Sequence, residues 1–77
     1  MQIYLNSIEN VKRFVNVATQ LGMTDVDLRS GRYVISATSI MGIFSLDLTK
    51  PVELVEDNMT KEQIEEIKSK FKTIISE

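Results

Sequence analysis

The sequence contains no cysteine and no histidine. Without cysteine it can form neither a disulfide framework nor a thiolate metal site. Without histidine it has no imidazole to serve as a general base, as a metal ligand or as the carrier of a phosphoryl group. These absences exclude several classes of chemistry, and we expect no metal and no cofactor.

The chain also lacks a strong net charge and a long apolar run. Its net charge is −2 at pH 7, which argues against direct nucleic-acid binding because phosphates require a basic surface. The longest apolar stretch, residues 40–46, is too short to cross a bilayer. The first residues, MQIYLN, lack the pattern of a signal peptide. We therefore expect a cytoplasmic protein without membrane insertion.

What is present fits a single small domain over residues 1–77. Residues 2–5 predict a short strand, and a helix follows that begins near Asn6 or Ser7, with Asn6 and Glu9 as a candidate capping box. Gly22 is expected to end this helix. Its apolar stripe has helical spacing and comprises Val11, Phe14, Val15, Ala18 and Leu21.

The second half of the chain also contains predicted strands and helices in turn. A hairpin is predicted around the turn Ser30-Gly31, then a short helix over residues 39–46 capped by Ser39 or Thr38, then a strand after Pro51. Thr60 and Gln63 predict a capping box. The apolar stripe behind it predicts a helix that runs to the C-terminus, through Ile64, Ile67, Phe71, Ile74 and Ile75.

The resulting order, β-α-β-β-α-β-α, is typical of an α+β open sandwich with one antiparallel sheet and its helices on a single face. The pattern alone does not distinguish this arrangement from a ferredoxin-like fold with an additional helix.

One segment is more specific. Residues 39–54, SIMGIFSLDLTKPVEL, resemble the regulatory-serine region of HPr, the histidine-containing phosphocarrier protein of the phosphoenolpyruvate-dependent sugar phosphotransferase system. That family shows S-I-M-G-[VIL]-[ML]-S-L followed by a lysine, and the matching positions are Ser39, Ile40, Met41, Gly42, Ser45, Leu46 and Lys50. The resemblance implies an HPr-like open-faced sandwich with a four-stranded antiparallel sheet and three helices on one face.

The chain departs from that family at the phosphoryl-carrying histidine, which stands in a motif H-A-R-P-A. Counting back from Ser39 places this histidine at or near Ile8, where the chain has SIENVKR. Glu9 would also oppose an incoming anion at this helix start. Phosphohistidine transfer is excluded, and the chain is similar in this respect to the catabolite-repression paralogue of HPr, which keeps the serine without the histidine.

Two interpretations of Ser39 stay open. Serine is a common helix N-cap. In the HPr family, however, the serine at this place is phosphorylated by HPr kinase/phosphorylase, and the modified protein is a corepressor for a catabolite-control regulator. A phosphate at a helix start is electrostatically tolerated.

The resemblance also implies a partner-binding patch beside Ser39. Apolar residues at helical spacing are more often typical of a core, but a helix as short as residues 39–46 cannot bury all of its apolar side chains. The positions that match the patch are Ile40, Met41 and Phe44 on the short helix and Arg13, Val17 and Gln20 on the first helix.

The function expected from the sequence is a non-catalytic regulatory protein-binding module related to the phosphotransferase system, either a monomer or a weak homodimer. No carboxylates have a spacing typical of an acid–base or metal pair, so we expect no enzyme. The alternative is an HPr-fold domain that binds an unrelated protein or small ligand and in which Ser39 is only a helix cap.

Overall fold

The structure is a computed structural model, and it describes residues 1–76. The chain is an α+β protein with a single antiparallel sheet of five strands and with three α-helices. The elements follow in the order β1 (Gln2–Ile3), α1 (Ile8–Gln20), β2 (Asp27–Ser30), β3 (Tyr33–Ser36), α2 (Ile40–Phe44), β4 (Val52–Leu54), a 3₁₀ turn (Glu56–Asn58), α3 (Lys61–Lys70) and β5 (Ile75–Ser76).

The strand order across the sheet is β3-β2-β4-β1-β5, and every neighbouring pair is antiparallel. The first strand thus lies inside the sheet, where Ile3 pairs with Val52 of β4 on one side and with Ile75 of β5 on the other. The predicted order of elements is confirmed as far as α3. The predicted number of four strands is wrong, because β5 adds a fifth.

The fifth strand replaces the end of the predicted C-terminal helix. Helix α3 ends at Lys70, and the chain then pairs with β1, where Tyr4 N–H donates to Ile74 C=O at 2.7 Å. The reason is a run of three β-branched residues, Thr73-Ile74-Ile75, whose restricted side-chain rotamers favour a strand. The side chain of Ile74 is buried in either conformation, so its apolar spacing did not reveal the change.

The two faces of the sheet differ in burial. Ile3, Leu28, Val52 and Leu54 are buried, whereas the neighbouring positions Gln2, Arg29 and Glu53 are exposed. The buried strand residues form one cluster with residues from all three helices, namely Val11, Phe14, Ala18, Ile43 and Ile67. The helices therefore cover one face of the sheet, and the other face is open.

The start of α1 differs in detail from the sequence-based expectation. Ser7 is the N-cap, and its side chain accepts a hydrogen bond from Asn10 N–H at 3.1 Å. The Asn6–Glu9 capping box is wrong, because the side chain of Asn6 instead accepts a long bond of 3.5 Å from the Asn10 amide. Gly22 follows the helix with φ of 69°, a left-handed conformation that glycine adopts without steric cost.

Helices α1 and α3 pack antiparallel over the sheet. The rings of Phe14 and Phe71 lie 5.7 Å apart between centroids in a tilted arrangement. At the other end, Gln63 Nε2 donates to Leu21 C=O at 2.8 Å. Gln63 also completes the predicted capping box with Thr60, which is confirmed.

Candidate functional site

Ser39 is the N-cap of α2, as one of the two interpretations expected. Its backbone is extended, and its Oγ accepts a hydrogen bond from Gly42 N–H at 3.2 Å. The residue is partly exposed. The hydroxyl therefore satisfies an otherwise unpaired amide of the first helical turn, and it lies at the protein surface rather than in the core.

Gly42 is essential to this geometry. A Cβ built at Gly42 would lie 2.5 Å from Cγ2 of Ile35 on β3 and 2.9 Å from Ser39 Oγ. Both distances are shorter than normal carbon–carbon and carbon–oxygen contacts. The absence of a side chain at Gly42 thus lets α2 approach the sheet closely and leaves room beside the hydroxyl of Ser39.

Hydroxyl groups before and after α2 fix the short helix in place. Ser36 Oγ lies 3.0 Å from Thr38 Oγ1 and accepts from Thr38 N–H at 3.3 Å. Ser45 Oγ donates to Gly42 C=O at 2.6 Å. These bonds tie down the backbone on both sides of a helix that is only five residues long.

The apolar residues of α2 divide into a buried and an exposed set. Ile43 is fully buried, and Ile40 is half-buried against the core. Met41 is 77% exposed and Phe44 is 40% exposed. These two side chains present apolar surface to solvent on the helix that Ser39 caps.

The segment after α2 contains a charged turn. Asp47 Oδ1 accepts from Thr49 Oγ1 at 2.5 Å and from Thr49 N–H at 3.1 Å. The hydroxyl bond, then the amide bond and finally the nearby charge of Lys50 hold the pKa of the Asp47 carboxyl below its ordinary value. The two hydrogen bonds from Thr49 thus hold the turn between α2 and β4.

Of the three residues predicted on α1, Arg13 contacts the end of α3. Arg13 Nη2 donates to Lys70 C=O at 3.3 Å, and the Arg13 guanidinium lies 5.2 Å from the ring centroid of Phe71. Val17 and Gln20 follow Arg13 at i+4 and i+7, so they share its stripe of the helix. The structure directs Arg13 toward the end of α3, although α1 and α2 do touch each other.

The resemblance places the missing histidine at or near Ile8, at the start of α1. Ile8 is the first residue of α1 and is 63% exposed, and Glu9 lies in the first turn. The start of α1 therefore presents an exposed apolar side chain and an adjacent carboxylate.

Within residues 1–76, no group of three or more carboxylates is placed to hold a metal ion. No helix in this part of the chain is long and apolar enough to cross a membrane. The sequence missed two features of the site, the contact between Gly42 and Ile35 and the use of Arg13 by α3. The first joins neighbouring elements, β3 and α2, and the second joins residues distant in sequence, so neither follows from helical or strand spacing.

No protein-family model, no curated protein and no solved structure matches this chain. The resemblance to HPr therefore rests on the segment from Ser39 to Lys50 and on the order of the structural elements.

Proposed function

We propose that the chain is a non-catalytic, HPr-like regulatory module that binds a protein partner through α2, and that phosphorylation of Ser39 controls this binding. The observation that carries the proposal is the surface of α2, where the partly exposed Ser39 caps a helix on which Met41 is 77% and Phe44 is 40% exposed. Ser39, Met41 and Phe44 are the residues that act in it.

Exposed apolar surface on α2 supports partner binding. Met41 is unbranched and polarisable, so it adapts to differently shaped surfaces. Phe44 supplies aromatic area of the kind that dominates small interfaces. Ile40, which is half-buried, would add its exposed edge to the same contact.

The surroundings of Ser39 support a phosphorylation that leaves the fold intact. A phosphate there would add about −1.5 to −2 charge at the start of a helix, where the peptide dipoles favour negative charge. Helix α2 has no acidic residue in its first turn to repel it. The modification would thus change the charge of the α2 surface without displacing the apolar residues.

By the resemblance, the modifying enzyme is an HPr kinase/phosphorylase and the partner of the phosphorylated form is a catabolite-control regulator. Arg13 is engaged with α3, so the proposed contact is centred on α2, and Val17 and Gln20 stay predicted members of it.

The first test is incubation with HPr kinase/phosphorylase and ATP, followed by intact-mass measurement. The expected result is the addition of one phosphate, which Ser39→Ala abolishes and Ser45→Ala retains. An unchanged mass would contradict the regulatory role of Ser39.

The second test is titration of the phosphorylated and unmodified proteins with a catabolite-control regulator by calorimetry. We expect binding only of the phosphorylated form, with a loss of at least about tenfold in affinity for Met41→Asp. Ile8→Glu changes an exposed apolar residue outside α2 and serves as the matched control. Equal loss in both variants would contradict binding through α2.

A second function is favoured by the hydrogen bond from Gly42 N–H to Ser39 Oγ, which already gives the serine a complete structural role. In that case the domain binds an unrelated protein or small ligand, and Ser39 is only a helix cap. Pull-downs with Met41→Asp as the negative control would then recover proteins outside the phosphotransferase system.

A further inference from the structure

Strand β3 forms one edge of the sheet and pairs only with β2 within the part of the chain that the structure describes. Edge strands in natural proteins usually carry a charge, a proline or a bulge that discourages pairing with another chain. The sequence of β3, YVIS, contains no charged residue, proline or glycine. This edge is therefore open to further strand pairing.

The hydrogen-bond register shows which backbone groups face the open edge. Ala37 N–H donates to Val26 C=O at 2.9 Å, and bonded and non-bonded pairs alternate along an antiparallel ladder. Ala37 and Val26 thus form a bonded pair. Three positions nearer the hairpin turn, Val34 and Arg29 consequently form a non-bonded pair. The N–H and C=O of Val34 point away from β2, toward the open edge.

The side chains along this edge are also uncovered. Val34 is 56% exposed on the open face of the sheet, and Tyr33 is 69% exposed. Ile35, whose side chain lies against Gly42 of α2, is half-buried. Three consecutive apolar residues thus border an unpaired edge. A second strand paired with this edge would cover their side chains.

We propose that β3 pairs antiparallel with β3 of a second copy of this chain, on a two-fold axis at Val34. In this register each Val34 N–H donates to the Val34 C=O of the other copy, and the two valine side chains meet on the open face. Tyr33 then lies opposite Ile35 of the second copy, so the same pair forms twice.

Charge is compatible with this self-pairing. The strand itself is neutral, and Arg32, the nearest cation in the chain, lies opposite Ser36 rather than opposite another arginine. A strongly charged partner strand would find no opposite charge on this edge. A second YVIS strand is neutral, and its apolar side chains would cover those of the first.

The pairing is short and the dimer therefore weak. Ser36 C=O already accepts from Ser39 N–H at 3.0 Å, so the chain turns away from the edge at this point. An interface limited to residues 32–36 is small and belongs to the transient class. We expect a dissociation constant of about 0.1–1 mM. Since α2 is not part of this interface, the dimer is independent of the proposed function.

The test combines sedimentation velocity with isotope-filtered NMR. Sedimentation across about 10 µM to 1 mM should show a reversible monomer–dimer equilibrium. In a mixture of labelled and unlabelled protein, an intermolecular cross-peak should join the Hα atoms of Tyr33 and Ile35, which lie close together only in a non-bonded pair between copies.

Two variants separate the strand pairing from other modes of association. Val34→Pro removes the N–H that faces the open edge and none that β2 uses, a position where an edge strand tolerates proline. Val34→Glu places two carboxylates opposite each other on the two-fold axis. Both should weaken the dimer by at least about tenfold, and Ile8→Glu should leave it unchanged.

Circular dichroism and thermal unfolding show whether each variant remains folded, and if Val34→Pro does not fold, Val34→Glu alone decides. A protein that stays monomeric up to about 1 mM would overturn the proposal. A dimer unaffected by either folded variant, or one whose intermolecular cross-peaks arise from Met41 and Phe44, would overturn it as well.

Discussion

Gly42 of α2 lies so close to Ile35 of β3 that a Cβ on the glycine would stand 2.5 Å from Ile35 Cγ2. This contact sets the distance between the short helix and the sheet. It also explains why a helix of five residues contains a glycine in its middle, where alanine would otherwise be favoured by about 1 kcal/mol.

Gly42→Ala should lower the free energy of unfolding by about 1–3 kcal/mol, because the steric overlap outweighs the gain in helix propensity. Denaturant unfolding measures the change. In a background of Ile35→Ala, which removes Cγ2, the same substitution should be less destabilising by about 1 kcal/mol or more. Strictly additive effects would show that the two residues do not limit the approach of α2.

Ser39→Ala should lower the free energy of unfolding by about 1 kcal/mol, because the Gly42 amide loses its capping partner. Ser39→Asp should stay within about 0.5 kcal/mol of the parent, since aspartate is an equally good cap. Ser69→Ala, on the exposed side of α3, is the control and should change stability little. Equal stability of Ser39→Ala and the parent would contradict the capping role.

Arg13→Ala should destabilise the protein by about 0.5–1 kcal/mol, because the guanidinium stacks on Phe71 and donates to the last turn of α3. Arg13→Lys should recover only part of this loss, since an ammonium cannot reproduce the planar contact. The neighbouring Lys12→Ala provides the matched control. Thermal unfolding reports stability, and an unchanged melting temperature in Arg13→Ala would argue that the contact contributes nothing.

Thr49→Val should raise the pKa of Asp47 toward its ordinary value of 3.8, because the strongest hydrogen bond to the carboxylate is lost. In the parent, the folded state has the lower pKa. Asp47 therefore stabilises the fold above the ordinary value, and this contribution disappears as the pH falls through the folded-state pKa. The variant should show a shallower loss of stability in acid.

Carboxyl-detected NMR titration measures the pKa of Asp47 directly in both proteins. Thr73→Val removes an exposed hydroxyl that does not contact Asp47 and should leave its titration curve unchanged. An identical curve in Thr49→Val would show that the amide and Lys50 alone hold the pKa down.

Local patterns predicted much of this fold because their physical causes are local. The stripe from Val11 to Ala18 required a helix, Gly31 supplied the positive φ of 58° for the hairpin turn, and Thr60 with Gln63 formed the expected capping box. Each of these features depends on residues within four positions of one another, which is the range over which sequence periodicity and capping signals act.

The features that were missed depend on distant partners. Ile74 and Ile75 have spacings that suit a helix as well as a strand, and pairing with β1 decided between them. The orientation of Arg13 toward Phe71 likewise follows from how α1 packs on α3. At the candidate site, the sequence offered Ser39 or Thr38 as the cap of α2, and the structure shows that Ser39 fills this role.

The position of β1 has a consequence for how the chain is made. Among the elements of residues 1–76, this strand leaves the ribosome ahead of the helices and the other strands, yet its two neighbours in the sheet, β4 and β5, follow far behind it. During synthesis the hairpin of β2 and β3 and the helix α1 can form early, since their contacts are local. The centre of the sheet must wait until β4 emerges, and during that interval Ile3 and Leu5 stay exposed, at the stage when the nascent chain is most open to capture by chaperones.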